Sequence, residues 1–212
     1  QIWSVDDFNK FISVIDDDEI AEALFNIVEQ ACNDTYYKEG YLRISSVFKS
    51  FVLTENIKSF LCVLTRHPRR NNPNLNIDTL NKIFYYITRY YQSSFVPQNQ
   101  VVQLDGEEYD AKKDEIINRL GSGERLFVIS VYQTIGAGQN LQYPIPAQLN
   151  GKLIKVNDRP NNGCKDFDAI YLDMPTNIVT QLSSALTEEE FVKYLFNIEM
   201  LQEYAEISTK DT

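Results

Sequence analysis

From Phe127 to Tyr143 the chain reads FVISVYQTIGAGQNLQY, an apolar β-branched run that passes directly into a hydroxyl, two glycines and an amide. At the carboxyl end of a strand in an α/β protein, such a turn offers an anionic ligand the backbone N–H groups of Gly136 and Gly138. A dinucleotide fingerprint wants a third glycine where Leu141 stands, and no G-x-x-x-x-G-K-[ST] loop occurs anywhere in the chain. A methyltransferase glycine loop follows the first strand of its fold, whereas here three strand-like runs lead up to the turn. Taken alone, the segment also fits a tight turn that needs glycine for backbone reasons only.

The second group with chemical potential is the basic knot Arg66, His67, Arg69 and Arg70. Guanidinium groups at a strand end suit phosphate contacts. His67 is the only histidine and has no Cys, Asp or Glu at ligand spacing on its own element, so it reads as a loop residue, not a metal ligand or base. Asp173 stands where catalytic carboxylates often lie, but the adjoining Met174-Pro175 reads as a strand terminator. Cys32, Cys62 and Cys164 are odd in number, widely spaced and outside any C-x-x-C pattern. They argue against a disulfide scaffold or a zinc site and fit a reducing cytoplasm.

A net charge of -10 over 212 residues is unfavourable for a protein that coats nucleic acid, because that affinity comes from Lys and Arg neutralising phosphates. The acidic runs at 16–19, 105–110 and 188–190 read as solvated surface. No run approaches the ~20 apolar residues of a membrane helix. The start, Gln1 to Asp7, has no basic leader and no initiator methionine, so the chain reads as a piece of a longer protein.

Periodicity supplies the elements that must position these groups. Two capped amphipathic helices are expected behind Ser4 and Asp17, and a third helical segment from Tyr41 to Leu53. Strands are expected at 59–65, 100–104, 126–131 and 168–172, with helices at 78–91 and 110–120, the second stopping at Gly121-Ser122-Gly123. A possible further strand is Lys152 to Val156, and the T-x-x-E spacing of Thr187 and Glu190 opens a terminal helix. Alternation of strand and helix predicts an α/β fold, a mostly parallel sheet flanked by helices, with a helical N-terminal extension. The expected organisation is a helical extension over 1–55, an α/β domain over 56–180 and a terminal helix over 181–212.

The order of these strand ends carries a resemblance. Thr65-Arg66, then Leu104-Asp105-Gly106, then the turn from Gln133 to Leu141, then Leu172 to Asn177 resembles the second RecA-like domain of superfamily 2 helicases and translocases. There the corresponding places are motif IV, the turn called IVa, motif V and the strand leading towards motif VI. The G-x-G-x-N-L form looks most like the Snf2 and restriction-system branches. The resemblance spans about residues 56 to 180.

It implies a RecA-like (Rossmann-like) sheet and a motor domain of an ATP-dependent nucleic-acid helicase or translocase, of the kind found in restriction or defence systems. It implies nucleotide contacts at Gly136, Gly138 and Asn140, and contacts to a DNA or RNA backbone at Arg66, Gly106 and Thr134. ATP and Mg2+ would serve the full-length protein together with a first RecA-like domain, and none would be bound tightly by this piece. The N-terminal helices would be free to meet a protein partner. The departures are definite: no arginine follows Arg159, so the Q-x-x-G-R-x-x-R of motif VI is absent, as are both Walker motifs. No catalytic residue is therefore assigned within the chain. Two other readings stand beside this one: a degenerate helicase-like module that binds a protein partner, and a nucleotide-dependent transferase on a Rossmann-like domain.

Overall fold

Two runs, Ser59–Leu64 (β1) and Leu126–Val131 (β3), are buried along their whole length, as strands covered on both faces must be. They pair in parallel from Ser59 with Leu126 through Leu64 with Val131. Around this pair a computed structural model describes residues 9, 15–32, 34–106, 109–135, 141–149, 152 and 163–173. Val101–Gln103 (β2) and Ala169–Leu172 (β6) complete a four-stranded parallel sheet in the order β2-β3-β1-β6. Tyr143–Pro144 (β4) and Cys164–Lys165 (β5) form a separate antiparallel ribbon. The fold is α/β with an all-parallel sheet flanked by helices, consistent with a Rossmann-like architecture.

The helices begin and end where local chemistry dictates. Helix α1, Asp18–Ala31, is capped by Asp17, whose carboxylate accepts from the Ile20 N–H. Helix α2 covers Thr35–Leu53, longer at its start than the apolar spacing predicts. Helix α3, Ile77–Tyr90, is capped by Asn76, which accepts from the N–H groups of Asp78 and Thr79. After the short helix α4 (Pro97–Gln100) comes α5, Tyr109–Gly121. It ends where Gly123, at φ 91°, takes a left-handed conformation and donates to the Leu120 carbonyl. A side chain at 123 would also meet the Gln148 carboxamide 3.0 Å from its Cβ. A last short helix, α6, covers Tyr132–Ile135. Helices α4 and α6 and the β4–β5 ribbon are absent from the sequence-based expectation, each being too short to carry a periodic pattern. The helix expected behind Ser4, the strand expected at 152–156, the glycine turn at 136–140 and the terminal helix lie outside the described residues in whole or in greater part.

Strand alternation divides the core. Phe60, Cys62, Leu64, Phe127, Ile129 and Val131 face α1, α2 and α3, while Leu61, Val63, Leu126 and Val128 face α5 and the ribbon. The connection from β1 to β2 crosses on the first face and that from β2 to β3 returns on the second, as two crossovers of one handedness must. Helices α1 and α2, expected as an extension, therefore form a layer of the same core as the sheet, and the compact unit covers residues 1–174. Residues 175–212 fall in a second unit. The acidic run at 16–19 is not wholly solvated surface either: beyond capping α1, Asp17 receives the hydroxyls of Tyr90 and Tyr91 at 3.2 and 3.3 Å.

The first face is held by aromatic packing. The Phe127 ring lies 5.1 Å from Phe48, 5.3 Å from Phe51, 5.1 Å from Phe60 and 5.8 Å from Phe84. One ring of β3 thus joins two helices and the neighbouring strand. Phe127→Ala is expected to lower stability by about 3–5 kcal/mol and Phe127→Leu by about 1–2 kcal/mol. Denaturant unfolding measures both; equal losses would show that the ring contacts, and not the filled volume, carry the stability.

Candidate functional site

In a parallel sheet the strands leave to opposite faces at one place, and a crevice opens there at their carboxyl ends. Here that place lies between β1 and β3. The chain leaving β1 goes to the face of α3, and the chain leaving β3 goes to the face of the ribbon.

The loop after β1 is built to hold a shape. The Arg69 N–H donates to the Leu75 carbonyl at 3.2 Å and the Asn72 N–H to the Arg69 carbonyl at 3.1 Å. The Asn72 side chain accepts from the N–H groups of Asn74 and Leu75. Asn76 ties the far end, its amide donating to the Arg70 carbonyl at 2.6 Å and its N–H to the Tyr41 hydroxyl at 2.6 Å. With Pro68 buried beneath them, Arg66, Arg69 and Arg70 are exposed on a loop that contains its own hydrogen bonds. Arg70 makes an exposed ion pair with Asp78 at 3.4 Å, and Arg66 donates to the Tyr37 hydroxyl at 3.3 Å.

His67 is half-buried, and its Nε2 lies 3.4 Å from the Thr134 Oγ1, joining the loop after β1 to α6 after β3. Its Nδ1 is buried with no hydrogen-bond partner among the described residues. Burial lowers the imidazole pKa below its ordinary value; the Asp105 carboxylate opposes this and the Arg69 and Lys112 charges reinforce it. At the end of β2, the Ser130 hydroxyl donates to the Leu104 carbonyl at 2.7 Å, and Asp105 pairs with Lys112 of α5 at 3.1 Å. Gly106 follows in open space, so it is not a glycine for lack of room.

Of the expected site residues, Arg66, Gly106 and Thr134 thus stand at one edge of the sheet, on the ends of three strands. Thr134 meets His67, not Arg66. Gly136, Gly138 and Asn140 lie outside the described residues. Spacing alone makes His67 a loop residue, because its partners come from other elements. The one usable sign was its position three residues past a fully apolar strand.

Asp173 also proves to be more than a strand terminator. It is buried, 7% exposed, and its Oδ1 accepts from Arg43 Nε of α2 and from the Tyr171 hydroxyl, both at 2.9 Å. Its carbonyl accepts from the Tyr132 hydroxyl at 2.5 Å and its N–H donates to the Val63 carbonyl at 2.9 Å. Burial works against the Arg43 charge, but Asp173 outweighs it and raises the guanidinium pKa. Burial, and then Asp173, push the Tyr171 phenol up. This network fixes the end of β6 against α2 and α6. Cys62 lies buried beside it, where burial pushes its thiol up and leaves it inert.

Among the described residues no cluster of His, Cys, Asp or Glu could hold a metal, and no helix is long and apolar enough to cross a membrane. No protein-family model matches the chain, and no curated protein matches it.

Removing Arg43 would leave a buried carboxylate with one fewer charge partner. Arg43→Met is expected to destabilise by about 2 kcal/mol, reduced because the guanidinium is partly exposed. Adding Asp173→Asn to the Arg43→Met variant should recover part of that loss. A double-mutant cycle in denaturant measures the coupling; additive losses would show that the ion pair carries none.

Proposed function

We propose that this chain is the second motor domain of a superfamily 2 nucleic-acid helicase or translocase, contributing backbone contacts and one wall of a nucleotide cleft. The observation that carries the reading is the switch-point edge. It gathers an exposed arginine loop, an open glycine turn and a hydroxyl from three parallel strands. Contacts of this kind position a phosphate chain without reading its sequence. Arg66 and Thr134 make those contacts, Gly106 lets the backbone approach, and Gly136, Gly138 and Asn140 face nucleotide or the first motor domain. A cytoplasmic location fits cysteines held in the thiol form.

The described residues do not by themselves fit Mg2+ and ATP. They present no acidic metal cluster, and the chain has no Walker A lysine and no arginine beyond Arg159. The phosphoryl-transfer groups belong to another domain on this reading, and the chain alone should show no nucleic-acid-stimulated ATP turnover.

In the full-length motor, Gly138→Val or Asn140→Ala should cut stimulated ATPase about tenfold or more, because a side chain or a lost amide disturbs an approach made in the transition state. Arg66→Ala should weaken binding evenly across sequences and lower the salt slope by about one unit. Wild-type turnover, affinity and slope in all these variants would leave the protein-partner module as the better reading, as would an equally silent Thr134→Ala.

A further inference from the structure

We propose that His67 is itself a strand-binding residue of this crevice, its Nε2–H and the Thr134 hydroxyl together gripping one phosphodiester group. This rests on the nucleic-acid reading above and goes beyond it, since the expected contacts did not include the histidine. Chain leaving two adjacent strands towards opposite faces places these two groups 3.4 Å apart beyond the carboxyl ends of the strands. At that distance they share one long hydrogen bond, and on giving it up both can turn to one phosphate. The loop bearing the ring is held by its own hydrogen bonds, so little ordering is required on binding. Arg66 and Arg69 flank the ring in sequence and are exposed.

The charges around the ring give the grip a measurable property. Facing His67 are Asp105 from the end of β2, Lys112 from α5 and Arg69 from its own loop, with the neutral Thr134 from α6. Burial and the two cations keep the imidazole neutral at pH values where a free histidine begins to charge. A phosphodiester anion beside Nε2 favours the imidazolium and raises its pKa in the complex. Binding then takes up a proton, and affinity rises as pH falls through the range between the bound and free pKa values.

The experiment is titration of fluorescent oligothymidylate and oligouridylate into the full-length protein, followed by anisotropy at about pH 8 and about pH 6. One added charged contact to a single strand steepens the salt slope by about 0.7, which is about fivefold in affinity at 0.1 M salt. Wild type is expected to gain both on acidification. His67→Gln should stay at the weaker level at both pH values, and His67→Lys, permanently charged, should stay near the stronger one. A His67→Gln protein that keeps the full wild-type pH response overturns the inference and leaves the nucleic-acid reading standing. So does a wild-type protein that binds without any pH response. Absence of binding to either oligonucleotide at both pH values removes the reading and the inference together.

Discussion

The parallel pairing of β1 with β3 under cover on both faces is the constraint from which the rest follows. A strand buried on both sides has no free face on which to present chemistry, so its end is the only outlet. Parallel neighbours cannot be joined by a tight turn. Each must send the chain across one face, and the order β2-β3-β1-β6 makes the two central strands choose opposite faces. The arginine loop, the histidine and the threonine meet because no other place in this sheet brings together chain leaving two adjacent buried strands.

The net charge of -10 becomes less of an obstacle in this setting. At about 0.1 M salt, exposed charges more than ~10 Å apart are largely screened, so a phosphate responds to the guanidinium groups beside it and little to acidic residues elsewhere. Two of the acidic residues in the expected surface runs are also occupied within the fold, Asp17 by two tyrosine hydroxyls and Asp105 by Lys112. The formal charge of a chain overstates what its surface presents when carboxylates are used as caps and partners.

The sheet was largely legible from the residues. Runs such as SFLCVL and LFVISV are apolar without alternation, and only a doubly covered strand accounts for them. Helix starts at Asp17 and Asn76 follow from side chains able to take the first free N–H groups, although periodicity placed the second helix one residue late. The site was legible in outline, as positions at strand ends. It was not legible in its pairings, because the His67–Thr134 contact spans 67 residues and the Arg43–Asp173 pair spans 130. Neither leaves a mark in local spacing. The status of the N-terminal helices was hidden for the same reason: an apolar helix face shows that something covers it and does not say what.

Arg125, which precedes β3, is sunk among the elements around it. Its Nε donates to the Ile57 carbonyl at 2.9 Å, and its terminal nitrogen to the carbonyls of Thr54, at 3.1 Å, and Phe51. Its guanidinium lies 4.2 Å from the Phe51 ring centre. These acceptors are the last turn of α2 and the linker into β1, the stretch where a domain border would be drawn from sequence. A cut at that border would strip a half-buried cation of its acceptors and bare the aromatic face of the sheet. The helical layer is therefore not an interchangeable module. Any recombination or shortening of this protein that separates it from the sheet breaks one folding unit into two pieces that lack a complete core.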